Sequence, residues 1–310
     1  MNIMFMGTPE FACASLRALC EKYGVASVVT SEDKPRGRGH KMTACDVCKE
    51  AQSLGIEHIY KLPNLKRETF EQILNAEKPD LIAVVAYGKL LPEYVINYPK
   101  YGCINVHGSL LPKYRGAAPM QWCLIDGESE TGVTTMYMDK GLDTGDMLLK
   151  ESIPLTDDDN FGTVHDRLSA IGAKLLVETI DKISEGSIER VPQGEAATHY
   201  ASMIDKEMTV IDWTKSAREI MNLVRGLTPF PKASSTLGGK GVKILRTSVS
   251  DKRTDAKCGE VISVGGKSFD VACGGGTVLT VCEIQPETKK AMTVEDYLKG
   301  NELAVGTILK

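Results

Sequence analysis

Asn105 and His107 sit two residues apart in Cys103-Ile104-Asn105-Val106-His107, directly before Gly108-Ser109-Leu110-Leu111-Pro112-Lys113-Tyr114-Arg115-Gly116. In an extended strand, residues two apart point to one face. Open α/β sheets bind ligands at the C-terminal edge of their parallel strands. An amide and an imidazole converging at that edge can both donate to a carbonyl oxygen that gains charge under attack, so the implied chemistry is reaction at a carbonyl. A carboxylate is also needed, to favour the charged imidazole and to accept a proton from an attacking amine. The glycine-rich stretch 139–146 offers Asp139, Asp143 and Asp146, and spacing alone does not choose among them.

The elements that must position these residues follow from the pattern of apolar positions. Residues 2–6 read as a strand, and Thr8-Pro9-Glu10 as a helix start with Thr8 as N-cap. Val25 to Thr30 is a second strand, 43–54 a helix, His58 to Tyr60 a short strand and 65–77 a helix. The continuous apolar run from Asp80 to Ala86 is the signature of a strand covered on both faces of a parallel sheet. Strands alternating with helices predict a doubly wound, mostly parallel, Rossmann-like α/β domain. Beyond His107 come a basic Gly/Pro loop, a helix at 120–125, strands at 133–138 and 147–153, and an amphipathic helix over 157–185 with His165 at the edge of its apolar stripe.

The stretch 190–206 loses periodicity and reads as a linker between a domain at 1–189 and one at 207–310. After it, 212–225 is a helix pattern. Short strands separated by Gly238-Gly239, Gly265-Gly266 and Gly274-Gly275-Gly276 then predict a smaller C-terminal β-barrel (OB-like).

Several function classes are excluded. Gly7-Thr8-Pro9-Glu10-Phe11 lacks the second and third glycines of a dinucleotide fingerprint, which disfavours nicotinamide and flavin. Cys45 and Cys48 form a C-x2-C beside His40, but no second pair stands at zinc-finger spacing, and nine cysteines in apolar contexts read as buried thiols of a reducing compartment. The N-terminus has no basic region ahead of a long apolar run, and the uncharged stretch from Leu81 to Tyr87 is too short to cross a bilayer. The expectation is a cytoplasmic protein acting as a monomer, without a membrane partner.

The segments Asn105-Val106-His107, Ser109 to Pro119, and Leu142-Asp143-Thr144-Gly145-Asp146 resemble the 10-formyltetrahydrofolate-dependent formyltransferase family. So do Gly7 to Phe11, Gly37-Arg38-Gly39, Val85-Ala86-Tyr87-Gly88 and Lys289-Lys290-Ala291-Met292, and the likeness runs from end to end. It implies Asn105, His107 and Asp143 as the catalytic trio, with Asp143 preferred over its two neighbours. It also implies Ser109, Leu110, Leu111 and Pro112 as the folate-binding turn, Val85 to Gly88 against the pterin, and no metal. The implied reaction moves a formyl group from N10 of 10-formyltetrahydrofolate to the α-amine of methionine esterified to initiator tRNA.

A net charge of -4 argues against polycationic coating of nucleic acid, but the charge is uneven. Cut after residue 203, the first part has 21 Lys+Arg against 28 Asp+Glu, and the rest has 16 against 13. Residues 225–257 alone hold eight basic side chains and two acidic ones, an electrostatic platform for RNA phosphates. The loop 31–41 carries Lys34, Arg36, Arg38 and Lys41, and the family likeness places it at the acceptor stem with Arg38, Arg36 and Lys41 in contact. Two rival readings keep part of this. Formylation of a small amine leaves the basic second domain without a task, and a non-catalytic binding module leaves the Asn105, His107 and Asp143 set without one.

Overall fold

Runs without charge become the central strands of the first sheet. In the computed structural model, which describes residues 1–36 and 41–310, β1 (Ile3–Gly7) is buried at every position. After it come α1 (Cys13–Tyr23), β2 (Ser27–Thr30), β3 (Lys34–Arg36), β4 (Lys41–Thr43), α2 (Asp46–Ser53), β5 (His58–Lys61) and α3 (Arg67–Glu77). Next are β6 (Leu81–Val85), also buried throughout, α4 (Glu93–Ile96), β7 (Cys103–His107), α5 (Pro119–Ile125), β8 (Glu130–Tyr137), β9 (Met147–Pro154) and α6 (Phe161–Glu185).

The sheet order is β5-β2-β1-β6-β7-β8-β9. The first five of these strands are parallel, and β8 runs antiparallel to β7, pairing His107 with Thr134. The order reverses between β1 and β6, the switch point beside which open α/β sheets bind ligands. One face of the sheet is covered by α3, whose Phe70 and Leu74 are fully buried against Met4, Ile82 and Val84. Each such side chain stabilises the fold by roughly 2 kcal/mol.

Two compact units result. The first holds Met1–Pro119, Thr131–Ile153 and His165–Ala201, and the second Met120–Glu130, Pro154–Val164 and Ser202–Lys310. Residues 190–201, expected within a linker, therefore belong to the first unit. There Val191 pairs with Met147 and Ala201 with Gly116 through isolated bridges.

Helix starts differ from expectation where polar side chains found longer-range partners. The Thr8 hydroxyl donates to the Tyr87 carbonyl at 3.2 Å instead of capping a helix, and a short 3-10 turn over Glu10–Ala12 leads into α1. In the second unit, Asp212 Oδ1 accepts from the Thr214 amide at 2.9 Å, which turns the chain before α7 (Ala217–Leu227) can begin. That helix starts at a capping box in which Ser216 accepts from Glu219 N and Glu219 accepts from Ser216 N.

The second unit continues with β10 (Ala233–Leu237), β11 (Lys240–Ser250), β12 (Val261–Val264), β13 (Phe269–Ala272), β14 (Val278–Pro286), β15 (Met292–Thr293) and α8 (Val294–Leu298). Its antiparallel order is β10-β11-β14-β13-β12, with β15 on β14. The two outer strands are joined by the chain's last residues. The Thr236 amide donates to the Lys310 carbonyl at 2.7 Å, the Leu309 amide to Gly259 at 2.8 Å, and the Val261 amide to Thr307 at 2.8 Å. The sheet edges are thereby paired rather than left open, the usual management of an exposed strand edge. Ile220 and Val224 of α7 pack with Ile244, Phe269, Val281 and Leu309 in one buried cluster.

Candidate active site

β7 carries Asn105 and His107 to the C-terminal edge of the sheet, where the chain leaves for the turn 108–116. His107 is 5% exposed. Its Nε2 lies 2.9 Å from the Tyr114 carbonyl. A carbonyl only accepts, so Nε2 bears a proton. The other ring nitrogen, Nδ1, faces Asp143 Oδ1 at 3.8 Å. With Nε2 donating to that carbonyl, Nδ1 is the ring nitrogen turned toward the carboxylate. Asn105 is partly exposed beside them, and among the described residues its amide makes no hydrogen bond. It is free to donate to a substrate oxygen.

The three candidate aspartates have separate tasks. Asp139 Oδ1 accepts from the Gly141 amide at 2.9 Å and the Thr144 hydroxyl at 2.7 Å, closing its own turn. Asp146 pairs with Arg190 at 2.9 Å, and the Arg190 guanidinium also stacks over the Tyr137 ring at 4.5 Å. Asp143 faces His107, and its Oδ2 accepts from the Gly116 amide at 2.9 Å. The loop is drawn tightly against β8. A Cβ at Gly145 would lie 1.9 Å from the Tyr137 carbonyl oxygen, so only glycine fits there.

The turn Ser109 to Pro112 is pinned from the neighbouring strand by Thr134. That hydroxyl donates to the Ser109 carbonyl at 2.7 Å and accepts from the Leu111 amide at 3.1 Å. The Ser109 hydroxyl donates to the Lys113 carbonyl at 2.6 Å, and the Lys150 ammonium donates to the Leu111 carbonyl. The peptide between Leu111 and Pro112 is cis. On the far side of the switch point, Ala86 and Gly88 have positive φ, and Tyr87 is 3% exposed with a hydroxyl that lacks a partner among the described residues. Burial pushes that hydroxyl up to about 12.

Residues that spacing alone left out complete the cluster. Gln193 and Thr198 come from the aperiodic stretch 190–201. Gln193 Nε2 donates to the Asp143 and Gly145 carbonyls at 2.9 and 2.7 Å, and the Thr198 hydroxyl accepts from the Tyr114 amide at 2.7 Å. No periodicity marks them, and the only sequence signal is polar side chains in a short run after a long helix.

Expected RNA contacts are placed unevenly. Arg38 lies outside the described residues, Arg36 ends β3 opposite Lys41 in a two-stranded hairpin, and Lys41 is exposed. The stretch expected as a loop thus has paired flanks. Of the basic group at 225–257, Arg225 is only 8% exposed and donates to the Thr156 carbonyl at 2.8 Å, so it stitches the second unit together. Arg246 and Lys252 face Glu283 and Asp270 at 3.9 and 2.7 Å, whereas Lys240 and Lys257 are exposed without an ion pair among the described residues.

The cysteines are free thiols among the described residues. Cys45 Sγ caps α2 by accepting from the Cys48 amide at 3.4 Å. Ligand atoms of Glu10, His165 and Asp166 lie within 4.8 Å of one another. Both carboxylates are exposed, and the His165 ring packs tilted at 60° against the Phe11 ring with centroids 5.4 Å apart, so ordinary surface contacts account for the group. No helix among the described residues is long and apolar enough to cross a membrane.

A sheet-edge amide and imidazole with a carboxylate behind them, on a doubly wound domain followed by an antiparallel one, suit group transfer at a carbonyl. Family models agree. That for formyl transferase matches residues 1–180, and that for the formyl transferase C-terminal domain matches 203–302. The chain belongs to the formyl transferase family. It is 47% identical over 311 residues to the methionyl-tRNA formyltransferase of Clostridium novyi, covering 100% of both chains. To the enzyme of the same name from Geotalea uraniireducens it is 48% identical, covering 100% of this chain and 98% of that one. Among solved structures, the sugar 3N-formyl transferase WlaRD, crystallised with dTDP and 5-N-formyl-THF, superposes with a TM-score of 0.68 at 20% identity, covering 94% of this chain and 99% of that one. HypX from Aquifex aeolicus in complex with tetrahydrofolic acid gives 0.63 at 16% identity, covering 99% of this chain and 50% of that one. These two superpositions describe a shared fold.

Proposed function

We propose that this chain transfers the formyl group of 10-formyltetrahydrofolate to the α-amine of methionine esterified to initiator tRNA, giving N-formylmethionyl-tRNA and tetrahydrofolate. The observation that carries this reading is the end-to-end similarity, second unit included, to relatives named for that activity. Folate as the donor is supported by the folate-class molecules named with the structural neighbours.

The amine nitrogen attacks the formyl carbon, the carbonyl oxygen becomes an oxyanion, and collapse breaks the bond to N10, which leaves with a proton. Asn105 donates to the oxyanion directly, since its amide has no other partner among the described residues. His107 Nε2 is committed to the Tyr114 carbonyl, so its contribution requires exchanging that acceptor for the oxyanion, a stronger one because it is charged. Asp143 holds the imidazole charged and accepts the proton that the amine loses, directly or through water. The proton is then available to the departing N10, so the step balances without a metal.

Ser109, Leu110, Leu111 and Pro112 offer backbone groups to the folate, with Val85 to Gly88 against the pterin. The first unit does the chemistry. The second, with Arg36, Arg38 and Lys41 from the first, holds the tRNA. We place the enzyme in the cytoplasm as a monomer. The test is to supply 10-formyltetrahydrofolate with charged initiator tRNA, glycinamide ribonucleotide or an amino sugar, and to identify which amine gains formyl. Formyl on the tRNA is expected, and formyl on a small amine with none on the tRNA refutes the reading.

A further inference from the structure

Gln193 is 8% exposed, and every hydrogen-bonding group of its amide is used. Oε1 accepts from Arg115 Nε at 2.9 Å, while Nε2 donates to the Asp143 carbonyl at 2.9 Å and the Gly145 carbonyl at 2.7 Å. The guanidinium fixes which end of the amide is which, since it can only donate. Arg115 is itself anchored by a second bond from Nη2 to the Gly194 carbonyl at 2.9 Å. The segment carrying Gln193 is tied to the sheet by reciprocal backbone bonds between Val191 and Met147, both 2.9 Å.

These bonds grip the loop at its strained point. Asp143 has φ of 54°, in the left-handed region. That conformation costs a non-glycine residue roughly 1–2 kcal/mol. The two carbonyls that Gln193 holds are that of Asp143 itself and that of the residue two further on, so the amide fixes the backbone from which the carboxylate projects toward His107. On the other side, the Gly116 amide, next in sequence to Arg115, donates to Asp143 Oδ2. One short segment, Arg115-Gly116, thus sets both the carboxylate and the side chain that holds its backbone.

We propose that Gln193, oriented by Arg115, is the positioning residue for Asp143, holding its carboxylate at the distance from His107 that formyl transfer needs. The proposal rests on the reading in which Asp143 serves His107. Misplacement of a catalytic group by about 1 Å costs on the order of 100-fold in rate.

The experiment is a double-mutant cycle in the full-length protein. Gln193→Glu keeps the acceptor for Arg115 but turns a carboxylate oxygen toward two carbonyls. Gln193→Met removes the donors at similar volume without adding charge, and serves as the second variant if the first does not fold. Each is made alone and with Asp143→Asn, and single-turnover formyl transfer and KM for donor and tRNA are measured. In the wild-type background kcat is expected to fall between about 10- and 100-fold with both KM values within about twofold. In the Asp143→Asn background the same change should cost less than about threefold, because residues acting through one another are not additive. Equal losses in both backgrounds assign Gln193 to general folding and overturn the proposal, as does a wild-type rate in the Gln193 variants. A wild-type rate in Asp143→Asn alone refutes the underlying reading instead, and so separates the two failures.

Discussion

Asp143→Asn tests the charge pair at the centre of the site with little else altered. The amide retains an oxygen that can accept from Gly116, so the 2.9 Å bond that seats the side chain survives while the negative charge goes. At the observed 3.8 Å between Asp143 Oδ1 and His107 Nδ1, Coulomb attraction is about 1 kcal/mol in water and about 4 kcal/mol at the effective dielectric of a protein near its surface. The side chains are 6% and 20% exposed, which places the pair toward the second limit. About 3 kcal/mol of lost imidazolium stabilisation corresponds to a rate loss of roughly 100-fold. The assay is single-turnover formation of N-formylmethionyl-tRNA under saturating donor, with KM for each substrate measured separately. The loss should appear in kcat, because the charge acts when the oxyanion develops. A reduction smaller than about fivefold would mean that the carboxylate does not support the imidazolium during transfer, and the electrostatic argument would fail.

Tyr87→Phe removes a buried hydroxyl that has no partner among the described residues, so stability at pH 7 should rise by about 1 kcal/mol in urea unfolding. The hydroxyl's ordinary value near 10 is raised to about 12 in the fold. Its neutral form is therefore favoured in the native state, and wild type loses that contribution as pH rises from about 10 to 12. The variant's advantage should widen over that window, and a destabilised variant would show that the hydroxyl is satisfied. Ser216→Ala deletes the capping box of α7 and should cost about 1 kcal/mol, read as a lower urea midpoint at unchanged slope; an unchanged midpoint would show that α7 is held by packing alone. Lys240→Glu with Lys257→Glu should weaken tRNA binding roughly tenfold and flatten its salt dependence without altering donor KM. Unchanged affinity would remove that face of the second unit from the RNA contact.

The doubly wound sheet was legible because burial on both faces leaves a mark that needs no partner to be read. The five residues of β6 are apolar wherever they point. The placement of Asn105 and His107 at the end of β7 was legible for a similar reason, since strand geometry alone puts residues two apart on one face. The contributions of Thr8, Gln193 and Arg225 could not be read this way. Each is a polar residue whose role is set by a carbonyl at least 50 positions away: Tyr87 for Thr8, Asp143 for Gln193, Thr156 for Arg225. A cap, a linker residue and a phosphate contact are the local readings of those side chains, and long-range hydrogen bonds displaced all three. The choice among Asp139, Asp143 and Asp146 was open to spacing for the same reason, because three carboxylates in one glycine-rich loop differ only in what the folded chain brings to them.

Three of the four non-glycine residues with positive φ in the described first unit gather around this same cluster, the fourth being Lys78 at the C-terminal end of α3. Ala86, Tyr114 and Asp143 have φ of 46°, 56° and 54°, at the end of β6, in the turn after β7 and in the loop before β9. Such residues cost of order 1–3 kcal/mol each and persist only where surroundings over-determine them. Here the surroundings are specific. The Tyr114 amide is held by Thr198 and its carbonyl by His107, while the Asp143 carbonyl is held by Gln193 and its carboxylate by Gly116. The His107 ring is thus bonded to one strained residue and faces the carboxylate of the other. In the proposed mechanism Nε2 exchanges the Tyr114 carbonyl for the developing oxyanion, and Tyr114 then loses one of the contacts that keep it left-handed. The protein carries the cost of releasing that carbonyl, and it is small because the Thr198 bond to the Tyr114 amide remains. Removing that bond with Thr198→Val should therefore disorder the 108–116 turn and raise donor KM more than it lowers kcat. The reverse split would place the strain in the chemical step itself.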